Sequence, residues 1–357
     1  MSGTHNTRPA AGGAPQPAWA SRYDARDFPP FSYTSDGVVF SGRDPSDLRV
    51  ATVERDAPDP FAGLRAWPGG FVDWADDEDA RAAVVRHLGE LAGLPEPPLL
   101  EPLDTYDAFG RDPRQFAQHG ARGVSKAFWG LVRPESPHDL RPGGRHASAP
   151  AWRSVYEFLP WEDRRTAGAT GPHPLLAPVL ERAADAGIRD DRVRNAFGDP
   201  WNEERAGERI RLLLQVGLME ESQRDRWGRV GRTDEPGAPV ETGVPMAFDH
   251  RVMLADALGR LRGKIKYLPD TLRTLMPDVF TLSELYDLVS SIAGRPLDKP
   301  NFWRLFTRHK SVQLVEKAGA GRPAPRRGRA PTTYAFLPEV PRMRLDPSLR
   351  FPFSGPR

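Results

Sequence analysis

The chain has no cysteine, so a disulfide framework, a thiolate zinc site and a cysteine nucleophile are all excluded. No apolar run of about 18 residues is present, which excludes a helix that crosses a bilayer. A basic start followed by an apolar h-region is also missing, and the expected compartment is the cytoplasm. Histidine is scarce, with 8 in all. His119, His138, His146 and His173 are scattered among Gly and Pro without the spacing of metal ligands. Charge of one sign is not in excess either: 50 Lys and Arg stand against 48 Asp and Glu, a net +2.

What the chain holds in quantity is proline and glycine, 38 and 33 residues. Together they make about a fifth of the total, above an average of roughly 12%, and long irregular connections follow. At 357 residues the chain exceeds what one hydrophobic core usually organises, so two or more folded units are expected. The balanced charge hides a polarity. Residues 291–357 carry 14 Lys and Arg against 4 Asp and Glu, leaving 36 against 44 in the rest. A basic end on a mildly acidic body points to a polyanion partner such as nucleic acid.

Residues 1–30 are rich in Gly, Pro and Ala without apolar periodicity and read as a disordered tail. Val38-Val39-Phe40 and Leu48 to Val53, either side of a polar turn at Gly42 to Pro45, read as a hairpin. Ala80, Ala83, Val84, Leu88 and Leu91 recur at helical spacing, and Gly93 closes that helix. Leu103 to Tyr106 and Val124 to Val132 are further strands, completing a first unit over 31–133. Pro- and Gly-rich linkers and helices fill 134–244. Among them is an amphipathic helix from Asn202 to Glu220, with Ile210, Leu213, Leu214 and Leu218 near one face. Trp161, Trp201 and this leucine stripe read as core.

A last unit spans 245–340, before a tail over 341–357. It opens on a helix from Asp249 to Tyr267 that Pro269 ends. Thr281 and Glu284 form a capping box for a helix carrying Leu285, Leu288, Val289 and Ile292. Asp298 caps a third helix through Phe302, Leu305 and Phe306. Strands at Val312 to Val315 and Thr332 to Leu337 flank a basic hairpin. Helix, turn, helix, strand, hairpin, strand is the order of a winged helix-turn-helix.

The stretch Gly69 to Leu94, GGFVDWADDEDARAAVVRHLGELAGL, resembles the Nudix box, a strand, loop and helix. In that pattern a glycine, five residues, a glutamate and seven residues precede REUXEEXGU, with U aliphatic. The paired strands upstream extend the likeness. In Nudix enzymes the helix glutamates hold divalent metal against a diphosphate, so that water attacks phosphorus. Here the motif reads Arg86-His87-Leu88-Gly89-Glu90-Leu91, and of its three acidic positions only Glu90 is kept. Seven residues rather than five separate Gly70 from Glu78.

A single carboxylate does not readily fix Mg²⁺. Glu78, Arg86, His87 and Glu90 are therefore read as a vestigial box without catalytic role. Glu90 is the metal ligand, and Mg²⁺ the cofactor, only if the domain is active. Asp73, Asp76, Asp77 and Asp79 in the preceding loop are the substitutes at hand. A helix that is only scaffold and a non-catalytic ligand pocket are the other readings.

The stretches MAFDHRVMLADALGRLRGKIKY, MPDVFTLSELYDLVSSIAGRPLDKPNFWRLF and GRPAPRRGRAPTTYAF resemble the winged-helix part of Nudix-related transcriptional regulators, which control NAD and pentose metabolism in bacteria. The resemblance covers about 36–132 and 245–337, and 134–244 departs from it. In that family a degenerate Nudix domain senses ADP-ribose or a related nucleotide, and the winged helix binds operator DNA. Two-fold dimers present two recognition helices one turn of DNA apart, so a homodimer is expected.

The residues support that role independently. A recognition helix needs one apolar face and one basic or amide face. Phe302, Leu305 and Phe306 supply the first; Lys299, Asn301, Arg304, Arg308 and Lys310 supply the second. Arg322, Arg326, Arg327 and Arg329 fall in the wing, in reach of phosphates or a minor groove. A solvated cationic loop or a protein-interaction module is the alternative. Tyr106 to Arg114 resembles the loop before the last long strand of the same regulators. Arg111 and Arg114 there either meet a ligand diphosphate or clamp the loop through aspartates. Arg55, Gly69 and Gly70 complete the expected ligand-binding set, with an exposed Glu54–Arg55 ion pair as the other reading of Arg55.

The expected fold is α/β plus α+β: a Nudix-like α/β/α sandwich, a helical insert and a C-terminal winged helix-turn-helix. The expected function is a ligand-responsive DNA-binding regulator that requires no cofactor and meets no membrane, with operator DNA and ADP-ribose or a related nucleotide as partners. The alternative is an active Nudix pyrophosphatase of nucleoside diphosphate derivatives with an accessory winged helix. A pure interaction scaffold requires both sites to be vestigial.

Overall fold

The structure, a computed structural model, describes residues 23–24, 27, 29–135, 139–142, 149–166, 171, 173–198, 201–229, 242–308, 314–318 and 331–340. The first elements in chain order are β1 (Phe31–Ser41), β2 (Arg49–Glu54), β3 (Arg65–Ala66), β4 (Gly69–Phe71), α1 (Ala80–Ala92), β5 (Leu99–Tyr106) and β6 (Arg122–Val132). β1 is central. It runs parallel to β6 from Phe31 opposite Arg122 to Ser41 opposite Val132, and its other edge pairs antiparallel with β2 and β4. The order across the sheet is β3-β2-β1-β6-β5, and β7 (Ala151–Ser154) joins it by pairing with β2.

The run Val38-Val39-Phe40 is continuous because β1 is covered on both faces. Val39 packs with Val84, Leu88 and Ala92 of α1 and with Phe128 and Val132. α1 is capped by Asp79, whose side chain accepts from the amide of Ala82 at 2.8 Å, and it ends at Gly93 in the left-handed region. On the opposite face Val38, Phe40, Trp129 and Leu131 pack toward α6 (His250–Lys264) and α7 (Pro269–Leu275). The α/β/α layering therefore draws its second helical layer from residues beyond 245, and not from 31–133.

Between them lie α2 (Val155–Phe158), α3 (Leu176–Asp185), α4 (Asp190–Phe197) and α5 (Ala206–Gln215). The helix expected over Asn202 to Glu220 is shorter. Asn202 caps a 3₁₀ turn at Glu203–Arg205, α5 follows, and Gly217 at φ 71° turns the chain away. The last unit continues with β8 (Phe280–Thr281), α8 (Leu282–Ala293), α9 (Lys299–Arg308), β9 (Val315–Ala318) and β10 (Thr333–Phe336), the strands ordered β8-β10-β9. Both expected caps form: Thr281 and Glu284 make the box, and Asp298 accepts from the Asn301 amide at 2.8 Å. Pro269 does more than end α6, since it sits in the first turn of α7. Val312 and Gln313 lie outside the described residues. Among the described residues no helix is long and apolar enough to cross a membrane.

A buried charge cluster ties these units together. Glu162, Arg209 of α5 and Arg262 of α6 are wholly buried. Arg209 grips Glu162 at 2.6 and 2.9 Å, and Arg262 bonds to Glu162 as well. Burial pushes the Glu162 carboxyl up, but the two guanidiniums outweigh it and hold its pKa at about 2. Arg262 also donates from Nε to the carbonyl of Ile292 at 2.8 Å, Tyr156 donates to that of Ser291, and the Arg164 amide to that of Gly294 at 2.5 Å. The C-terminal carbonyls of α8, which a helix leaves unpaired, are thus taken up by α6 and the 134–244 segment.

Candidate functional site

A cleft of about 650 Å³ opens between α1, the β4 corner, the loop at 111–114 and the residues leading into α6. Arg55, Gly69, Gly70, Arg86, His87, Glu90, Arg111 and Arg114 all line it. Glycine is required at the corner: a Cβ on Gly69 would stand 2.2 Å from Asp36 Oδ1, and one on Gly70 2.7 Å from the His87 ring. Arg86 makes a bidentate pair with Asp77 at 2.9 and 2.7 Å and reaches Glu90 at 3.3 Å. The loop carboxylate that meets the helix is therefore Asp77, and Glu78, which counting along the Nudix pattern selects, is exposed and does not line the cleft. Asp77 also accepts from the Asp73 amide at 2.7 Å, which fixes the turn. Its bonds to Arg86 hold it below the usual carboxylate range.

His87 stands where the Nudix pattern has a glutamate. Its Nε2 lies 3.1 Å from the Phe71 carbonyl, which only accepts, so Nε2 carries the proton. Burial and the neighbouring Arg86 charge lower its pKa and keep the ring neutral. The α1 residues on the cleft are thus Arg86, His87, Glu90 and Leu91, with one carboxylate among them. Among the described residues no group of three His, Asp or Glu is arranged to hold a metal ion. A Mg²⁺ site does not fit this donor set.

The three loop and strand arginines are already engaged. Arg114 binds Asp112 of its own loop at 2.6 Å, the clamp that is one of its two readings, and lies over the Phe71 ring at 5.0 Å. Arg111 lines the cleft but does not clamp its own loop. It is buried and makes a bidentate pair, 2.9 and 2.7 Å, with Asp249 at the start of α6. Arg55 donates to the Pro60 carbonyl at 2.7 Å and to Asp59 at 3.2 Å; the Glu54–Arg55 pair does not form, because Glu54 meets Arg65 at 3.4 Å. Arg55, Arg111 and Arg114 all lie within 6 Å of the Phe248 ring centre, at 4.9, 5.9 and 5.8 Å.

Among the cleft residues that escape the sequence reading are Asp36, Trp67, Phe248 and His250. Trp67 and His250 exchange two bonds, the Trp67 amide donating to Nδ1 at 3.1 Å and the indole to the His250 carbonyl at 3.0 Å. Burial lowers the His250 pKa well below its usual value, and Arg111 adds to this. Asp36 is pushed up by burial, although Arg111 and the Ser125 hydroxyl pull it down. The one available signal was Asp36 itself, a carboxylate inside a strand of otherwise apolar and hydroxyl residues.

In the C-terminal unit α9 buries Phe302, Leu305 and Phe306 and exposes Lys299, Asn301 and Arg304. Arg304 donates to Asn301 Oδ1 at 2.5 Å, one turn back, and Lys299 sits 5.4 Å from both the Tyr286 and Trp303 rings. Backbone at Arg308 is helical; Lys310, Arg322, Arg326, Arg327 and Arg329 lie outside the described residues.

Residues 273–336 match the family model of the NrtR DNA-binding winged helix domain. Over those residues the C-terminal unit has the winged-helix fold and is similar to that family. A MutT/nudix family protein from Enterococcus faecalis is 18% identical over 89% of this chain and 91% of its own, with a TM-score of 0.50, a likeness of fold alone. Joined to the sheet and cleft above, the C-terminal unit gives this chain the fold of a Nudix-like α/β/α sandwich with a C-terminal winged helix. The ADPR responsive transcriptional repressor NtrR of Acinetobacter baylyi is 22% identical over 309 residues, 86% of this chain and 85% of that protein. The NrtR of Shewanella oneidensis, in complex with a 27mer DNA, is 22% identical over 87% of this chain and 96% of that one, with a TM-score of 0.48.

Proposed function

We propose that this chain is a ligand-responsive transcriptional regulator of the cytoplasm, acting as a homodimer. Its Nudix-like cleft takes ADP-ribose or a related nucleotide diphosphate, requires no metal or other cofactor, and does not hydrolyse what it binds. α9, with Lys299, Asn301, Arg304 and Arg308, enters the major groove of operator DNA, and the wing arginines Arg322, Arg326 and Arg327 neutralise phosphates. The ADPR response in the name of the Acinetobacter relative and the NrtR-type winged helix support this reading.

The observation that carries it is the shared helix. Phe248 and His250, which line the cleft, stand at the start of α6, and Arg262 near its end holds the Ile292 carbonyl at the end of α8, the helix before α9. A ligand in the cleft therefore touches the element that sets the helix-turn-helix, which is the physical link that coupling between two sites needs.

The test is a mobility-shift titration of the full chain against its own upstream DNA at two salt concentrations, with and without ADP-ribose. Arg304→Ala should cost about 1–3 kcal/mol on the specific site, and ADP-ribose should change the affinity of the unaltered chain. Equal affinity with and without ligand would remove the sensor. An ADP-ribose turnover near roughly 1 s⁻¹ that vanishes in Glu90→Gln would replace the regulator by a pyrophosphatase.

A further inference from the structure

Behind the Phe248 ring lies a second cavity, of about 360 Å³. That volume falls in the range of small-molecule pockets, roughly 300–1,000 Å³. Its walls are mostly apolar: Phe61, Phe109, Ile210, Leu214, Phe248 and Val252. Arg111 and Phe248 line it as well as the main cleft, so the two spaces are separated by one side-chain layer. They differ in character. On the cleft side Phe248 faces the guanidiniums of Arg55 and Arg114; on the other it meets Phe61 edge to face at 4.9 Å.

We propose that this second cavity is a subsite for the heterocyclic base of the nucleotide whose diphosphate lies in the main cleft; the inference rests on that reading of the cleft. A nucleoside diphosphate joins an anionic group to a flat, largely apolar one through a single sugar, and two adjoining spaces, one bringing four guanidiniums and the other a broad apolar wall, match it part for part. The few polar groups on the second wall fit a base that carries both an amine and ring acceptors. Glu221 and Asp225 offer carboxylate acceptors to the amine. Arg224 and Arg251 also line the cavity, bringing guanidinium donors for a ring nitrogen or carbonyl.

Phe248 is also held at φ 50°, a left-handed backbone that a phenylalanine rarely adopts, and such strain gathers at ligand clamps. Its position one residue before the cap of α6 makes it the side chain through which a base in the second cavity is felt at the helix. Phe109, exposed at the rim, closes the outer side.

The experiment uses the full chain and two readouts. ADP-ribose bearing an 8-azido group on the adenine is photo-crosslinked and the labelled peptides are mapped; label is expected within 107–111 or 206–229. In parallel, ADP-ribose affinity is measured for Leu214→Trp, which fills the cavity, and for Phe109→Ala, whose exposed side chain leaves the core untouched. The first should lose at least tenfold and the second several-fold. Label on the Phe71 to Trp74 loop, or full affinity in Phe109→Ala together with Leu214→Trp, overturns the subsite while leaving the cleft as a ligand site. Absence of any ADP-ribose binding by the unaltered chain overturns both.

Discussion

Replacing Glu162 with glutamine keeps the shape of the buried cluster and removes its only negative charge. Arg209 and Arg262 would then face each other's charge inside the core, where both side chains have no exposure. Removing one partner of a buried ion pair costs about 3–5 kcal/mol. The carboxyl gives an independent scale: a fall from the ordinary 4.5 to about 2 is, at about 1.36 kcal/mol per unit, roughly 3 kcal/mol. Since the folded-state pKa is depressed, this stabilisation is complete above pH 4.5 and is lost as pH falls from there through about 2. A cooperative unit of roughly 150–250 residues shifts by about 2–4 °C per kcal/mol, so E162Q should melt about 6–12 °C below the unaltered chain at pH 7. Calorimetry at pH 7 and at steps from pH 5 to 3 reads both effects, and the gap should narrow in acid. A gap under about 2 °C at pH 7, or one that stays constant down to pH 3, refutes the charged clamp.

Elements whose ends are set by neighbouring residues are legible in the sequence. α8 and α9 appear where Thr281, Glu284, Gly294 and Asp298 place them, because caps are local chemistry. The cleft is legible for a similar reason: the Nudix-like stretch keeps strand, loop and helix together, and its two glycines lie where β4 must touch Asp36 and His87. The illegible parts depend on distant partners. Arg111 and Asp249 are 138 positions apart, so spacing near Arg111 suggested a ligand diphosphate or its own loop, and not Asp249. Counting along the Nudix pattern selected Glu78, whereas the turn closed by the Asp73 amide delivers Asp77 to Arg86. β7 has four half-buried residues and no alternation, and it exists because the edge of β2 offers unpaired backbone groups. α6 reads from the sequence as the opening of a separate unit because a Pro- and Gly-rich stretch precedes it. It buries His250, Met253, Leu254, Ala257, Leu258 and Leu261 because it packs on the sheet as well as on α5 and α8.

Two further outcomes follow from the geometry. Gly69→Ala puts a Cβ 2.7 Å from the Ser35 carbonyl and 2.9 Å from the Asp36 Cα, backbone that cannot step aside. Overpacking of this kind costs about 1–3 kcal/mol, so the variant should melt lower and lose its response to ADP-ribose; an unchanged response would mean that the cleft does not hold the ligand. The other concerns acid. His173 uses both ring nitrogens in its neutral form, Nε2 donating to the Trp161 carbonyl at 3.0 Å and Nδ1 accepting from the Leu175 amide at 3.0 Å. Burial, first, and the nearby arginines lower its pKa from 6.5 to about 4. A proton therefore binds the unfolded chain more readily than the folded one. The stability this histidine confers is complete above pH 6.5 and drains away as pH falls to about 4, roughly 3 kcal/mol in all. Between those limits the unfolding free energy should fall by about 1.4 kcal/mol per pH unit on account of His173 alone, with His87 and His250 acting in the same direction. His173→Asn lowers stability at every pH, but its slope around pH 5 should be smaller by close to one proton. Equal slopes in the two proteins would mean that His173 takes up its proton in the folded state as easily as in the unfolded one.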